Sequence, residues 1–91
     1  NCSICRRYAP LWAHGSQADI TVEAPPDGTI QYVWGDRMLA FHTCRSCGCT
    51  THWLGLDGQR GAVNCRMAEP EALQGLRIRH FDGADTWKFL D

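Results

Sequence analysis

Short runs rich in Val, Ile, Trp, Thr and Phe recur every eight to ten positions along this chain, each closed by turn-forming residues. "APPDG" at 24–28, "WGD" at 34–36, "LDGQRG" at 56–61 and "FDGAD" at 81–85 set Pro, Gly and Asp in turn order. Between them the pattern predicts strands over Asp19 to Glu23, Thr29 to Trp34, Arg37 to Thr43, Thr50 to Leu56 and Ala62 to Met67. "LRIRHF", residues 76–81, alternates apolar and basic positions as a half-buried strand does. Helix signals are few. "AEPEALQG", residues 68–75, places Pro70 near a first turn and Gly75 as a stop, enough for about one and a half turns. A second short turn is expected after Cys5, through "RRYA". The predicted fold is mainly β, a small antiparallel sandwich of short strands with little helix, spanning residues 1–91 as a single domain.

Composition narrows the function classes. A chain of 91 residues buries only about 60–65% of its unfolded surface, so its core calls for support from a metal, disulfides or a partner. A net charge of −1 argues against a nucleic-acid partner, for which a basic excess supplies most of the affinity. No apolar stretch approaches the roughly 18 residues of a membrane span, so no membrane partner is expected.

Six cysteines change the picture most. Cys2 and Cys5 form one C-x2-C pair, and Cys44 and Cys47 form another that is followed by Gly48. Thiolates three positions apart on a tight turn can both face one ion, which makes C-x2-C-x38-C-x2-C a zinc pattern rather than a disulfide framework. A thiol-rich, disulfide-free chain is expected in the reducing cytoplasm. Glycine after the second cysteine supplies the positive φ such a knuckle needs. Arg6 and Arg7, directly after Cys5, would favour its thiolate and can receive an anionic group. Cys49 and Cys65 lack metal spacing and read as small buried hydrophobes. His42 and His52 flank the knuckle as candidate ligands or proton carriers, with satisfaction by a local hydrogen bond the commoner role. By spacing alone, the two pairs are also compatible with one closed four-thiolate site, which would make the chain a non-catalytic zinc-stabilised interaction module.

Four stretches, "NCSICRRYAPLWAHG", "FHTCRSCGCTTHW", "AVNCRMAEPEAL" and "RHFDGADTW", resemble in that order the family of glutathione-dependent formaldehyde-activating enzymes and centromere protein V. The resemblance implies a zinc-binding β-sandwich with two metals. Cys2 and Cys5 would match two members of a catalytic C-x-C-x2-C triplet, and Cys44 and Cys47 half of a structural site. The triplet's first cysteine and the family's N-terminal C-x-C have no counterpart here, so each pair would be left with two thiolates and hold zinc poorly. The two pairs would then sit apart, too far for one ion. The implied activity is that of a carbon–sulfur lyase, adding a thiol such as glutathione to formaldehyde or a related aldehyde. Zinc would be its cofactor, Arg6, Arg7 and Arg66 its candidates for the glutathione carboxylates, and His52 a proton carrier.

Overall fold

A computed structural model describes residues 1–91 and contains seven short strands. Five of them, β1 (Trp12–Ser16), β2 (Thr29–Val33), β3 (Leu39–Cys44), β4 (Thr50–Gly55) and β5 (Arg60–Asn64), form one antiparallel sheet in the order β1-β5-β4-β3-β2. The run from β2 to β5 is a meander, and β1 returns to pair with β5 at the far edge. β6 (Phe81–Asp82) and β7 (Lys88–Phe89) make a separate two-stranded ribbon. Together they give a small β-sandwich of short strands. Helix is limited to α1 (Cys5–Tyr8) and three 3-10 turns, at Gln17–Asp19, Cys65–Met67 and Pro70–Leu73. No helix is long and apolar enough to cross a membrane. All six cysteines are free thiols.

Pairing register explains which residues meet. Tyr32, Phe41, Trp53, Ala62 and His14 stand opposite one another in sequence across all five strands, so they share one face. The adjacent row, Gln31, His42, His52, Val63 and Ala13, faces the other way. On the first face Phe41 is buried, with Tyr8 of α1 edge-on at 5.8 Å between centroids and Trp12 stacked at 6.2 Å. The Tyr8 contact seats α1 on the sheet. The helix stops where Ala9 takes a left-handed conformation, with φ 52°, just before Pro10. The core is thin: Ala40, Phe41 and Ala62 are its only buried hydrophobic side chains.

Several expected elements are corrected. Residues 19–23 form no strand. Instead the Ser16 hydroxyl accepts from the Ala18 N–H, and the Gln17 amide donates to the carbonyls of Gly55 (2.7 Å) and Arg60 (2.9 Å). These bonds turn the chain out of the sheet, and Pro25 and Pro26 then bring no donors for a ladder. The strand expected at 62–67 begins earlier and ends at Asn64, whose side chain accepts from the Arg66 N–H and starts a 3-10 turn. "LRIRHF" contributes only Phe81 to a strand: beyond it the ribbon continues through one bond, from the Leu90 N–H to the His80 carbonyl at 2.8 Å, and residues 76–79 pair with no strand. β1 carries no clear alternation in "WAHGS"; its partner β5 makes it a strand.

Candidate functional site

The two C-x2-C pairs sit in different local structures. Cys44 ends β3, and a tight turn follows, closed by the Gly48 N–H donating to the Cys44 carbonyl at 2.8 Å. Gly48 has φ +79°, the conformation its position after the pair anticipates. Cys49 then returns the chain to β4 through a bond from the Cys44 N–H to its carbonyl, also 2.8 Å. The tight turn expected between the two cysteines is therefore present. Cys2 and Cys5 lie on the turn that opens α1, where the Arg6 N–H donates to the Cys2 carbonyl (3.0 Å) and the Cys5 N–H to the Cys2 sulfur (3.3 Å). Burial works against ionisation of Cys2, but the Cys5 N–H and side chain and the Ile4 N–H outweigh it and hold its thiol below the usual range. Burial pushes the Cys5 thiol up, against the pull of the Trp12 indole.

No three His, Cys, Asp or Glu side chains come together where they could hold a metal ion. The four cysteines therefore do not share one site, which removes the four-thiolate interaction module. Cys2 with Cys5, and Cys44 with Cys47, each remain two thiolates without a third ligand. Two thiolates fall short of the three or four ligands a protein zinc needs. The expected zinc cofactor is not supported by this chain's geometry.

His42 and His52 supply no further ligand. They face each other across β3 and β4 with rings stacked at 4.2 Å, beside a register shift after His42. Each Nδ1 is engaged by a threonine hydroxyl, Thr29 at 2.9 Å for His42 and Thr51 at 2.8 Å for His52. Burial pushes both imidazoles below their ordinary value, and His42 adds to the effect on His52. The pair is thus neutral and packed near pH 7.

Where α1 approaches the knuckle, an open cleft of about 680 Å³ is lined by residues from three distant segments. Arg7, Tyr8 and Ala9 come from the end of α1. Thr43, Gly48, Cys49 and Thr50 come from the knuckle, and Asn64, Arg66 and Met67 from the end of β5. Two arginines face this cleft and no carboxylate does, so its field favours an anion. The cleft is braced by Asn64, which is buried and bonded at both side-chain polar atoms. Its Oδ1 accepts from the N–H groups of Leu11 and Arg66, both at 3.1 Å, and its Nδ2 donates to the Thr50 carbonyl at 2.8 Å. Arg66 closes one rim by donating from Nε to the Ala9 carbonyl at 3.3 Å. Of the three arginines expected at an anion, Arg7 and Arg66 meet here, while Arg6 does not line the cleft. Cys49, expected as a buried hydrophobe, instead contributes to the lining. Cys2, Cys5, His42 and His52 lie outside it.

A second fixed point joins the start of the chain to the ribbon. The Asn1 amide donates to Asp82 Oδ1 at 2.9 Å, and the Asn1 carbonyl oxygen of that side chain accepts from the Ala84 N–H at 3.0 Å. Asp82 also accepts from the Thr86 N–H and hydroxyl and from the Asp85 N–H. Led by the Asn1 bond, these donors bring its carboxyl down to about 2. Nothing in the sequence marks Asn1 for this role, because its partner is 81 positions away.

The fold resembles that of a Rhodobacter sphaeroides protein whose crystal structure was solved as a Northeast Structural Genomics target. The TM-score is 0.66 with 26% identity, over 82% of this chain and 72% of that one. No family model and no curated protein matches the chain. With neither a metal-holding group nor a matching family to carry it, the expectation of a zinc-dependent carbon–sulfur lyase acting on glutathione and formaldehyde does not hold. The catalytic part assigned to Cys2 and Cys5 through zinc falls with it.

Proposed function

We propose that this chain binds a small carboxylate-bearing thiol of the glutathione class in the cleft between α1, the knuckle and the end of β5. One observation carries the reading. All ten lining residues come from three of the four stretches that resemble the glutathione-dependent formaldehyde-activating family, although those stretches are far apart in sequence. Resemblance of this kind converging on one surface supports a shared ligand site, and a distant kinship with that family belongs to the proposal. The chemistry of the lining agrees. Arg7 and Arg66 offer planar donors suited to carboxylates, the Thr43 and Thr50 residues add polar edges, and Cys49 brings a thiol among them. A volume of about 680 Å³ lies in the ordinary range for small-molecule sites.

Titration calorimetry with reduced glutathione and with S-methylglutathione tests this. Both ligands are expected to bind, because recognition rests on the carboxylates. Replacing Arg66 or Arg7 by Ala should weaken binding about tenfold or more, since a charged hydrogen bond contributes about 1.5–3 kcal/mol. Absence of binding at millimolar ligand, or affinity indifferent to both substitutions, would refute the proposal.

A further inference from the structure

The cleft leaves Cys2 and Cys5 unused, yet they are the two thiols that the backbone brings together most deliberately. We infer that Cys2 and Cys5 form a reversible dithiol–disulfide couple that exchanges with small-molecule disulfides. The turn opening α1 runs through bonds from Arg6 N–H to the Cys2 carbonyl and from Tyr8 N–H to the Ile4 carbonyl, at 3.0 and 2.9 Å. Cys2 precedes α1, and its sulfur lies 3.3 Å from the Cys5 nitrogen, so the two side chains begin within one turn of each other. A disulfide needs Cβ atoms about 3.5–4.5 Å apart, a separation that closing this single turn would supply.

The Cys5 N–H points at the Cys2 sulfur across 3.3 Å, so the backbone that positions the pair also stabilises a thiolate on Cys2. Gly83 faces Cys2 from the ribbon, and a Cβ there would stand 3.4 Å from that of Cys2. The second pair is built differently. In the Cys44–Gly48 turn the bonded N–H groups, those of Cys44, Arg45 and Gly48, go to carbonyls, and neither sulfur receives a hydrogen bond. Spacing is the same in both pairs; only the first is arranged for a nucleophile.

The exchange balances with a small disulfide R–S–S–R as oxidant. The Cys2 thiolate attacks one sulfur, forms Cys2–S–S–R and expels RS⁻, which takes up a proton. The Cys5 sulfur, losing its proton to solvent, attacks the Cys2 sulfur, breaks the mixed disulfide and expels a second RS⁻, which is protonated in turn. Two protein thiols are oxidised to one disulfide, and the small disulfide is reduced to two thiols. Excess thiol reverses both steps.

The full chain is equilibrated with graded mixtures of reduced and oxidised glutathione and, separately, with hydroxyethyl disulfide and its thiol. Acid quenching, alkylation and peptide mass spectrometry then locate each modified cysteine. The neutral disulfide keeps the result independent of carboxylate binding in the cleft. The expected result is paired, reversible loss of alkylation at Cys2 and Cys5 with both reagents. Cys5→Ser should stop at a mixed disulfide on Cys2, and Cys2→Ser should leave Cys5 unmodified. Unoxidised Cys2 should also be alkylated about tenfold faster than Cys44, as a hydrogen-bonded thiolate requires. A Cys44→Ser, Cys47→Ser double variant, with native circular dichroism, should exchange like the parent chain. Cys2 and Cys5 remaining alkylatable across the whole series, or a Cys44–Cys47 disulfide forming first, would overturn the inference.

Discussion

Asn64 and Asp82 show how single polar residues hold this small molecule together. Both are buried: Asn64 spends its side chain on backbone groups of distant segments, and Asp82 accepts from the distant Asn1 side chain and from the following turn at Asp85 and Thr86. Replacing Asn64 with Ala strands two N–H groups and one carbonyl, at a cost of about 2 kcal/mol. In a domain of this size that loss should lower the thermal midpoint by roughly 10 °C, measurable by circular dichroism. The same change should weaken glutathione binding, because Asn64 positions Arg66 and Thr50 at the cleft. Asp82 makes a prediction in pH. Its folded carboxyl titrates at about 2, below the ordinary value near 4, so its contribution is fully present above about pH 4 and is lost as pH falls toward 2. Asp82→Asn should therefore be less stable than the parent at pH 5, with the gap closing toward pH 2. An equal gap at both values would contradict the hydrogen-bond account.

Pairs of elements carry the next two expectations. The stacked His42 and His52 join β3 to β4, and both rings are held below the ordinary imidazole value, first by burial. The unfolded chain takes up protons near pH 6.5 while the folded chain resists them, so stability is full above that value and declines as pH falls below it. Urea midpoints at pH 7.5 and pH 5.5 should show this loss, and His42→Phe with His52→Phe should reduce it. A pH-independent midpoint over that interval would count against the neutral stack. In the β3–β4 connection, Gly48 has a left-handed backbone and open space where a Cβ would lie. Gly48→Ala should therefore cost about 1–2 kcal/mol through backbone strain alone. A cost near zero would mean that the turn readily takes another shape. This glycine was legible in the sequence because it directly follows a C-x2-C pair. By contrast, the strand expected at 19–23 was lost to Gln17, whose bonds to β4 and β5 partners arise only once those strands are in place.

At the scale of the whole molecule, the main consequence concerns metal. The chain gathers no third ligand around either cysteine pair, so dialysis against a chelator should leave the thermal midpoint unchanged. A fall of several degrees that added zinc restores would reopen the metal reading. The alternation of short apolar runs and turn residues was enough to establish a mainly β chain with little helix, because strand and turn preferences act within a few residues. The tight turn after Cys44 and the short helix after Cys5 were local in the same way. Spacing alone also suggested zinc, and there it misled: a C-x2-C pair specifies two ligands, while a metal needs others that only long-range folding can bring. Folding instead brought Arg7 and Arg66 to one cleft, joined Asn1 to Asp82, and stacked His42 on His52. The histidine stack depends on strand register, the arginine pair on how α1 seats against Phe41, and the Asn1–Asp82 bond on where the ribbon lies, which are properties of the packed molecule and not of any one stretch of sequence.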